Sequence, residues 1–196
     1  MLLLALAVTS LFYFYIIENV GSAEQKILDV PTPSVGELHI AQLQWQRLKA
    51  AIAENREETI EFMGADMNAL VAQEIEFAKA RGRVRFAIAD SSMTIELSTP
   101  MHWMPPGFKP RWVQTAWRFI LDYKYEQFSF EILEMRTNGR KTPDWLLAPF
   151  TTWFKSMVKK RFRDDFQKKP ATALGWKHIK SIVIDHDRFI VTTQKI

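Results

Sequence analysis

Residues 113–125 read VQTAWRFILDYKY, and this stretch decides the fold. Val113, Thr115, Trp117, Phe119, Leu121, Tyr123 and Tyr125 fall on one side of an extended chain, while Gln114, Arg118, Asp122 and Lys124 fall on the other. Alternation with period two describes a β-strand that buries one face and wets the other. At about 3.3 Å per residue the strand would exceed roughly 40 Å, far beyond the roughly five or six residues of an average strand. A strand of that length usually curls around something.

Its partner follows directly. Phe128, Phe130 and Ile132 share one phase, whereas Leu133 and Met135 take the other, and a one-residue slip of this kind is what a β-bulge produces. Asn138 and Gly139 tolerate positive φ and turn the chain; Thr142 is suited to cap a helix and Pro143 to open it, with Asp144 near the positive end of the dipole. Along that helix Leu146, Phe150, Trp153, Phe154, Met157 and Val158 share roughly 120° of arc, with Lys155 and Lys159 opposite and Pro149 interrupting the backbone ladder. Two continuations stay open. A break near Lys160 buries Phe162 and Phe166 in a second short helix; an unbroken helix sets them among Lys155, Lys159 and Arg163 as a basic aromatic surface for anionic lipid headgroups or another protein.

Upstream of the long strand, Ile60 and Phe62 alternate before Gly64, and Met67, Leu70, Val71, Ile75 and Ala78 repeat at helical spacing up to the stop residue Gly82. Val84, Phe86 and Ile88, then Met93, Ile95 and Leu97, form a hairpin around the polar turn DSS. The connection from Thr99 to Arg111 is long, proline-rich and apolar, in the manner of a lid or a packed loop. A helix from Glu37 to about Glu54 places Leu38, Ala41, Trp45, Leu48 and Ile52 in one narrow seam, which packs on the domain's own sheet or on a second copy. Ile182, Ile184, Phe189 and Val191 make a last strand pair around DHDR.

The first residues set the address. Met1 to Ile17 are uncharged and almost wholly apolar, and a helix continued to Val20 is about 30 Å long, the hydrocarbon thickness of a bilayer. Residues 1–20 read as a retained single-pass anchor or, with the small residues Gly21 to Ala23 at cleavage spacing, as a signal peptide. Either way the bulk of the chain is expected outside the cytoplasm, in the periplasm. Residues 21–36, with VPTPSVG at their end, read as a linker, and residues 37–196 as one extracytoplasmic domain.

Charge and chemistry narrow the function. The net charge is +4, but residues 1–136 carry 13 basic and 17 acidic side chains against 13 and 5 in residues 137–196, so the basicity belongs to the last third. An extracytoplasmic domain rarely meets nucleic acid, and no nucleic-acid motif is present, which leaves a membrane surface as the better partner. The absence of cysteine excludes disulfides, thiol catalysis and thiolate metal sites. There is no Gly-rich phosphate loop, no HExxH and no nucleophile elbow. Ser156 to Lys159, SMVK, has serine–lysine spacing without the companion elements such enzymes need. Asp185, His186 and Asp187 sit in a tight turn, where neighbours point apart, and His39, His102 and His178 show no ligand spacing. No catalytic residue, metal or cofactor is expected.

Three segments, FMGADMNALVAQ at 62–73, RTNGRKTPDWLL at 136–147 and IKSIVIDHDRFIVT at 179–192, resemble the YpmS-like family of single-pass membrane proteins with an extracytoplasmic domain of unassigned activity. The resemblance rests chiefly on Asn68, Gly139 and Pro143. It implies a distant likeness to tubular lipid-binding folds, in which a long curled sheet wraps a helix and leaves an apolar groove.

The expected architecture is α+β: a curved antiparallel sheet packed against the Asp66 and Pro143 helices, preceded by a long helix and a transmembrane helix. The expected function is a non-enzymatic, membrane-anchored module binding a lipid or other apolar ligand in a groove lined by Trp117, Phe119, Leu146, Phe150, Trp153 and Met157. Lys155, Lys159, Phe162, Arg163 and Phe166 form the candidate membrane or partner surface. The alternative is an interaction or scaffold subunit of a membrane complex, with a protein partner or a homodimer.

Overall fold

The long strand is the axis of the molecule. A computed structural model describes residues 27–100, 111–124, 127–143 and 175–196, together with 148, 151–152, 155–157 and 160. Its elements are helix α1 (Val35–Ala53), β1 (Thr59–Met63), helix α2 (Gly64–Gln73), a 3-10 turn (Ile75–Ala80), β2 (Val84–Ala89), β3 (Ser92–Pro100), β4 (Trp112–Lys124), β5 (Gln127–Thr137), β6 (Arg140–Lys141), β7 (Ile179–Asp185) and β8 (Arg188–Thr193). The fold is α+β, with one large, open, antiparallel sheet and few helices.

β4 spans 13 residues and serves three partners. β5 pairs with it from Thr115 to Lys124 along one edge. The other edge is therefore divided: β3 takes Trp112 to Phe119 and β7 takes Asp122 to Lys124. β3 and β7 thus lie end to end, and the tips of their hairpins meet, where the Ser91 amide donates to the His186 carbonyl at 2.9 Å and the His186 amide donates to Ser91 Oγ at 2.9 Å. β2 extends the sheet beyond β3, and β8 then β1 extend it beyond β7.

One face carries the core. Phe119 and Tyr123 are buried, while Ile120 on the opposite face is exposed. Tyr123 stands opposite Phe128 on β5 and Ile182 on β7, and its ring lies 5.4 Å from that of Trp176. Ile60, Phe62, Leu70, Ile182 and Val191 complete the cluster around it, and Met93, Phe119 and Ile184 form a second one.

The slip in β5 is a bulge. Ile132 faces Phe119 and Glu134 faces Arg118, so Leu133 is the extra residue, and it is 41% exposed. The insertion returns Met135 to the buried face that Ile132 occupies. Deleting Leu133 should therefore leave both flanking registers intact and change stability by less than about 1 kcal/mol, the scale of tolerated surface changes. Amide exchange or chemical unfolding of the deletion variant checks this; loss of cooperative folding would show that the bulge itself is required.

Asn138 (φ 49°) and Gly139 (φ 81°) turn β5 into the short strand β6, an addition to the expected turn-and-helix. Thr142 is buried and its amide donates to the Met135 carbonyl at 2.8 Å, which extends this pairing. Positions 148, 151, 152, 155–157 and 160 are helical; most of the Pro143 helix lies outside the described residues.

α1 begins at Val35, two residues before the sequence reading, because Ser34 and Glu37 cap it reciprocally: the Glu37 amide donates to Ser34 Oγ and the Ser34 amide to Glu37 Oε2. Its seam packs inward. Ala41 and Leu48 are buried and Leu38, Trp45 and Ile52 join the same core cluster, so the seam is occupied by the chain's own α2 and sheet. The helix expected to run through Ala78 stops at Glu74, whose extended backbone (φ −68°, ψ 137°) resets the phase. Ile75 and Ala78, expected in the buried stripe, are consequently exposed, and Phe77 turns inward.

α2 crosses the outer edge of β2 very closely. A Cβ on Gly64 would sit 3.3 Å from the Ile88 amide nitrogen. One turn later Asn68 Nδ2 donates to the Phe86 carbonyl and Asn68 Oδ1 accepts the Phe86 amide, both at 2.8 Å. The side chain thus fills the place of a neighbouring strand.

Candidate functional site

An amphipathic helix laid on an amphipathic sheet normally leaves no space between them. Here α1, α2 and the 3-10 turn border a half-open apolar cavity of about 260 Å³ against the inner face. Trp45 and Leu48 of α1 form one wall, Met67 and Leu70 of α2 another, and Phe86 and Phe189 the sheet side. The break at Glu74 brings Phe77 into the lining, its ring 5.9 Å from that of Trp45. Among the described residues no charged side chain lines the space. The volume is close to the lower end of the roughly 300–1,000 Å³ of small-molecule sites, and far above the roughly 10–15 Å³ that admits one water. Such a space suits an alkyl or acyl chain, since an apolar wall offers water no hydrogen bonds.

A second cavity of about 290 Å³ adjoins it, and Val71 and Val84 line both. It is more polar: Asn68, Gln73 and Arg81 face the segment Val30–Pro33, with Leu38 of α1 alongside. That segment, read as linker, is fastened to the domain, for Leu28 is buried, its amide donates to the Gly82 carbonyl at 3.2 Å, and Arg85 reaches the Asp29 carbonyl. Gly82 takes φ +67°, which favours glycine at this junction. Nearby, the cap of α1 holds the Glu37 carboxyl below the usual carboxylate range through the Ser34 amide and then the Ser34 hydroxyl. A depressed carboxylate stabilises the fold above that range and ceases to do so as the pH falls through it, so this cap weakens in acid.

The outer face of the sheet has a trough of about 270 Å³ between Thr94, Glu96, Ala116, Arg118, Glu134 and Arg136. Its charges are matched to one another. Arg136 hydrogen-bonds Glu134, holding that carboxyl below its usual range, and Arg118 donates to Ser92 Oγ at 2.9 Å and lies 3.7 Å from Asp90. This is a solvated polar face. Among the described residues no group of three or more His, Cys, Asp or Glu is placed to hold a metal ion.

Of the groove residues expected from sequence, Phe119 is buried, with its ring 4.6 Å from Phe130, and Trp117 is half-buried beside it. Neither lines the apolar cavity. Met157 is 42% exposed and Lys155 half-buried, while Leu146, Phe150, Trp153, Lys159, Phe162, Arg163 and Phe166 lie outside the described residues. The residues that do line the cavity were legible as apolar stripes, and a stripe has the same periodicity whether it fills a core or borders a void. Among the described residues no helix is long and apolar enough to cross a membrane; residues 1–26, which hold the expected span, lie outside them.

Compared with protein-family models, with curated proteins and with solved structures, the chain finds no match in any of the three.

Proposed function

We propose that this protein is a non-enzymatic, membrane-anchored domain facing the periplasm, which holds the apolar part of a lipid between its helices and its sheet. Residues 1–20 supply the anchor, and α1 and α2 lie over the part of the sheet made by β1, β8 and β2. The observation that supports this reading best is the 260 Å³ cavity whose described walls are apolar side chains.

The full chain, purified in a mild neutral detergent, should carry a lipid adduct in native mass spectrometry. Ala80 lines the cavity, so Ala80→Trp places an indole in it and should lower occupancy at least tenfold, about 1.4 kcal/mol. Equal lipid on both proteins would assign the adduct to the anchor's surroundings and sink the reading; so would bare wild-type protein.

The second reading, an interaction subunit, draws on a different surface. Ile40 and Leu43 stand three residues apart on α1 and are each 52% exposed, away from the packed seam. Crosslinking in membranes through a cysteine introduced at residue 43 tests it, since the chain has no cysteine of its own. A strictly monomeric, partner-free product counts against it.

A further inference from the structure

The two cavities differ in polarity and lie side by side, sharing Val71 and Val84 in their linings, so an apolar compartment stands next to a polar one, here called the vestibule. From this, and resting on the lipid reading above, we infer that the ligand is an anionic membrane lipid, with an acyl chain among Trp45, Leu70 and Phe86 and its headgroup at Arg81.

The charge of the vestibule carries the inference. Arg81 lines it, is exposed, and spends Nη2 on the carbonyls of Gln73 (2.8 Å) and Glu74 (3.3 Å), which fixes the guanidinium at the end of α2. Two residues on, Arg83 is also exposed, its guanidinium 5.3 Å from the ring of Trp112. Neither arginine is ion-paired among the described residues, whereas Arg85 has Glu96 at 3.9 Å. A planar guanidinium with unused donors is suited to the oxygens of a phosphate or carboxylate. Asn68, by contrast, is committed to the backbone of Phe86 and reads nothing.

Position argues for a lipid drawn from a bilayer. Val30–Pro33 wall the vestibule, and the chain is pinned at Leu28 by Gly82, beside Arg81. Six residues lie between Val20, where the expected span ends, and Ile27, and these seven peptide steps reach at most roughly 25 Å. On the anchored reading Ile27, which lies beside Gly82, therefore holds the vestibule near the membrane surface, where an anionic headgroup is already at hand.

The test offers the full chain, in neutral detergent, equal amounts of phosphatidylglycerol and phosphatidylcholine with identical acyl chains, and reads bound lipid by native mass spectrometry. Wild type should prefer phosphatidylglycerol about tenfold, as one charge-assisted contact allows. Arg81→Gln should bring the ratio near one by lowering bound phosphatidylglycerol to the level of phosphatidylcholine, and Arg81→Lys should keep part of the preference. Millimolar inorganic phosphate should displace nothing, because the acyl chain holds the lipid in place; displacement by phosphate alone would assign a phosphate site and overturn the inference. Binding of both lipids without preference, or a preference unchanged in Arg81→Gln, overturns the headgroup assignment and leaves the apolar cavity standing. Absence of any bound lipid removes both.

Discussion

Replacing Tyr123 by alanine should destabilise the domain by about 4 kcal/mol, the cost of truncating a fully buried aromatic side chain. Tyr123 is 0% exposed and lies where β4 exchanges partners, with Phe128 opposite on one side, Ile182 on the other and the Trp176 ring 5.4 Å away, tilted 56° to its own. Its removal opens a space that both edges of β4 border, and neither edge can collapse into it without breaking register. In a chain of this size the midpoint of thermal unfolding should fall by roughly 10 °C. Ile120→Ala, three residues earlier on the outward face, should change stability by no more than about 0.5 kcal/mol. Unfolding followed by circular dichroism compares the two variants, and equal losses would mean that the buried face has been assigned wrongly.

Asn68→Leu should cost about 2 kcal/mol and also make the protein self-associate. The first effect follows from two hydrogen bonds, since the Phe86 amide and carbonyl on the outer edge of β2 both bond the Asn68 amide at 2.8 Å and lose their partner together. The second follows from where those groups are. Among the described strands β2 hydrogen-bonds β3 alone, so its other edge is a template for a foreign strand unless something covers it. Asn68→Asp keeps an acceptor for the Phe86 amide and loses the donor to its carbonyl, and should fall between wild type and leucine. Chemical denaturation gives the order of stabilities, and light scattering reports association. A leucine variant as stable and monodisperse as wild type would remove the edge-capping role. Gly64 works with Asn68 here, because only a residue without a Cβ lets the helix approach β2 at this distance comfortably.

Much of the fold was legible because alternation survives translation into structure. Trp117, Phe119, Leu121 and Tyr123 share the inner face as their spacing requires, and the phase slip before Met135 is a bulge at Leu133. The hairpin turns at Asp90–Ser91 and Asn138–Gly139 take the positive φ that their polar and glycine residues tolerate. What alternation leaves open is which strand lies next to which: nothing in Ile60 and Phe62 says that β1 pairs with β8, and nothing in β4 says that it divides one edge between β3 and β7. Glu74 escaped for another reason. A single extended residue shifts the phase of a helix without altering its composition, which is how Phe77 came to line a cavity and Ile75 to face solvent. The expected groove went to Trp117 and Phe119 because long aromatic strands advertise themselves, whereas the void under α1 depends on how three elements fail to meet.

The pairing of β1 with β8 has a bearing on timing. Among the described residues β1 has no other strand partner, so residues 59–63 wait for residues 188–193 before their hydrogen bonds can close. More than a hundred residues are made in between, on the order of ten seconds at the usual rate of synthesis. Through that interval β1 keeps an unpaired edge, while α2 can already dock on β2 through Asn68 and Phe86. Closure of the β1 edge is thereby deferred until the β7–β8 hairpin has been made, and the sheet order itself acts as the clock.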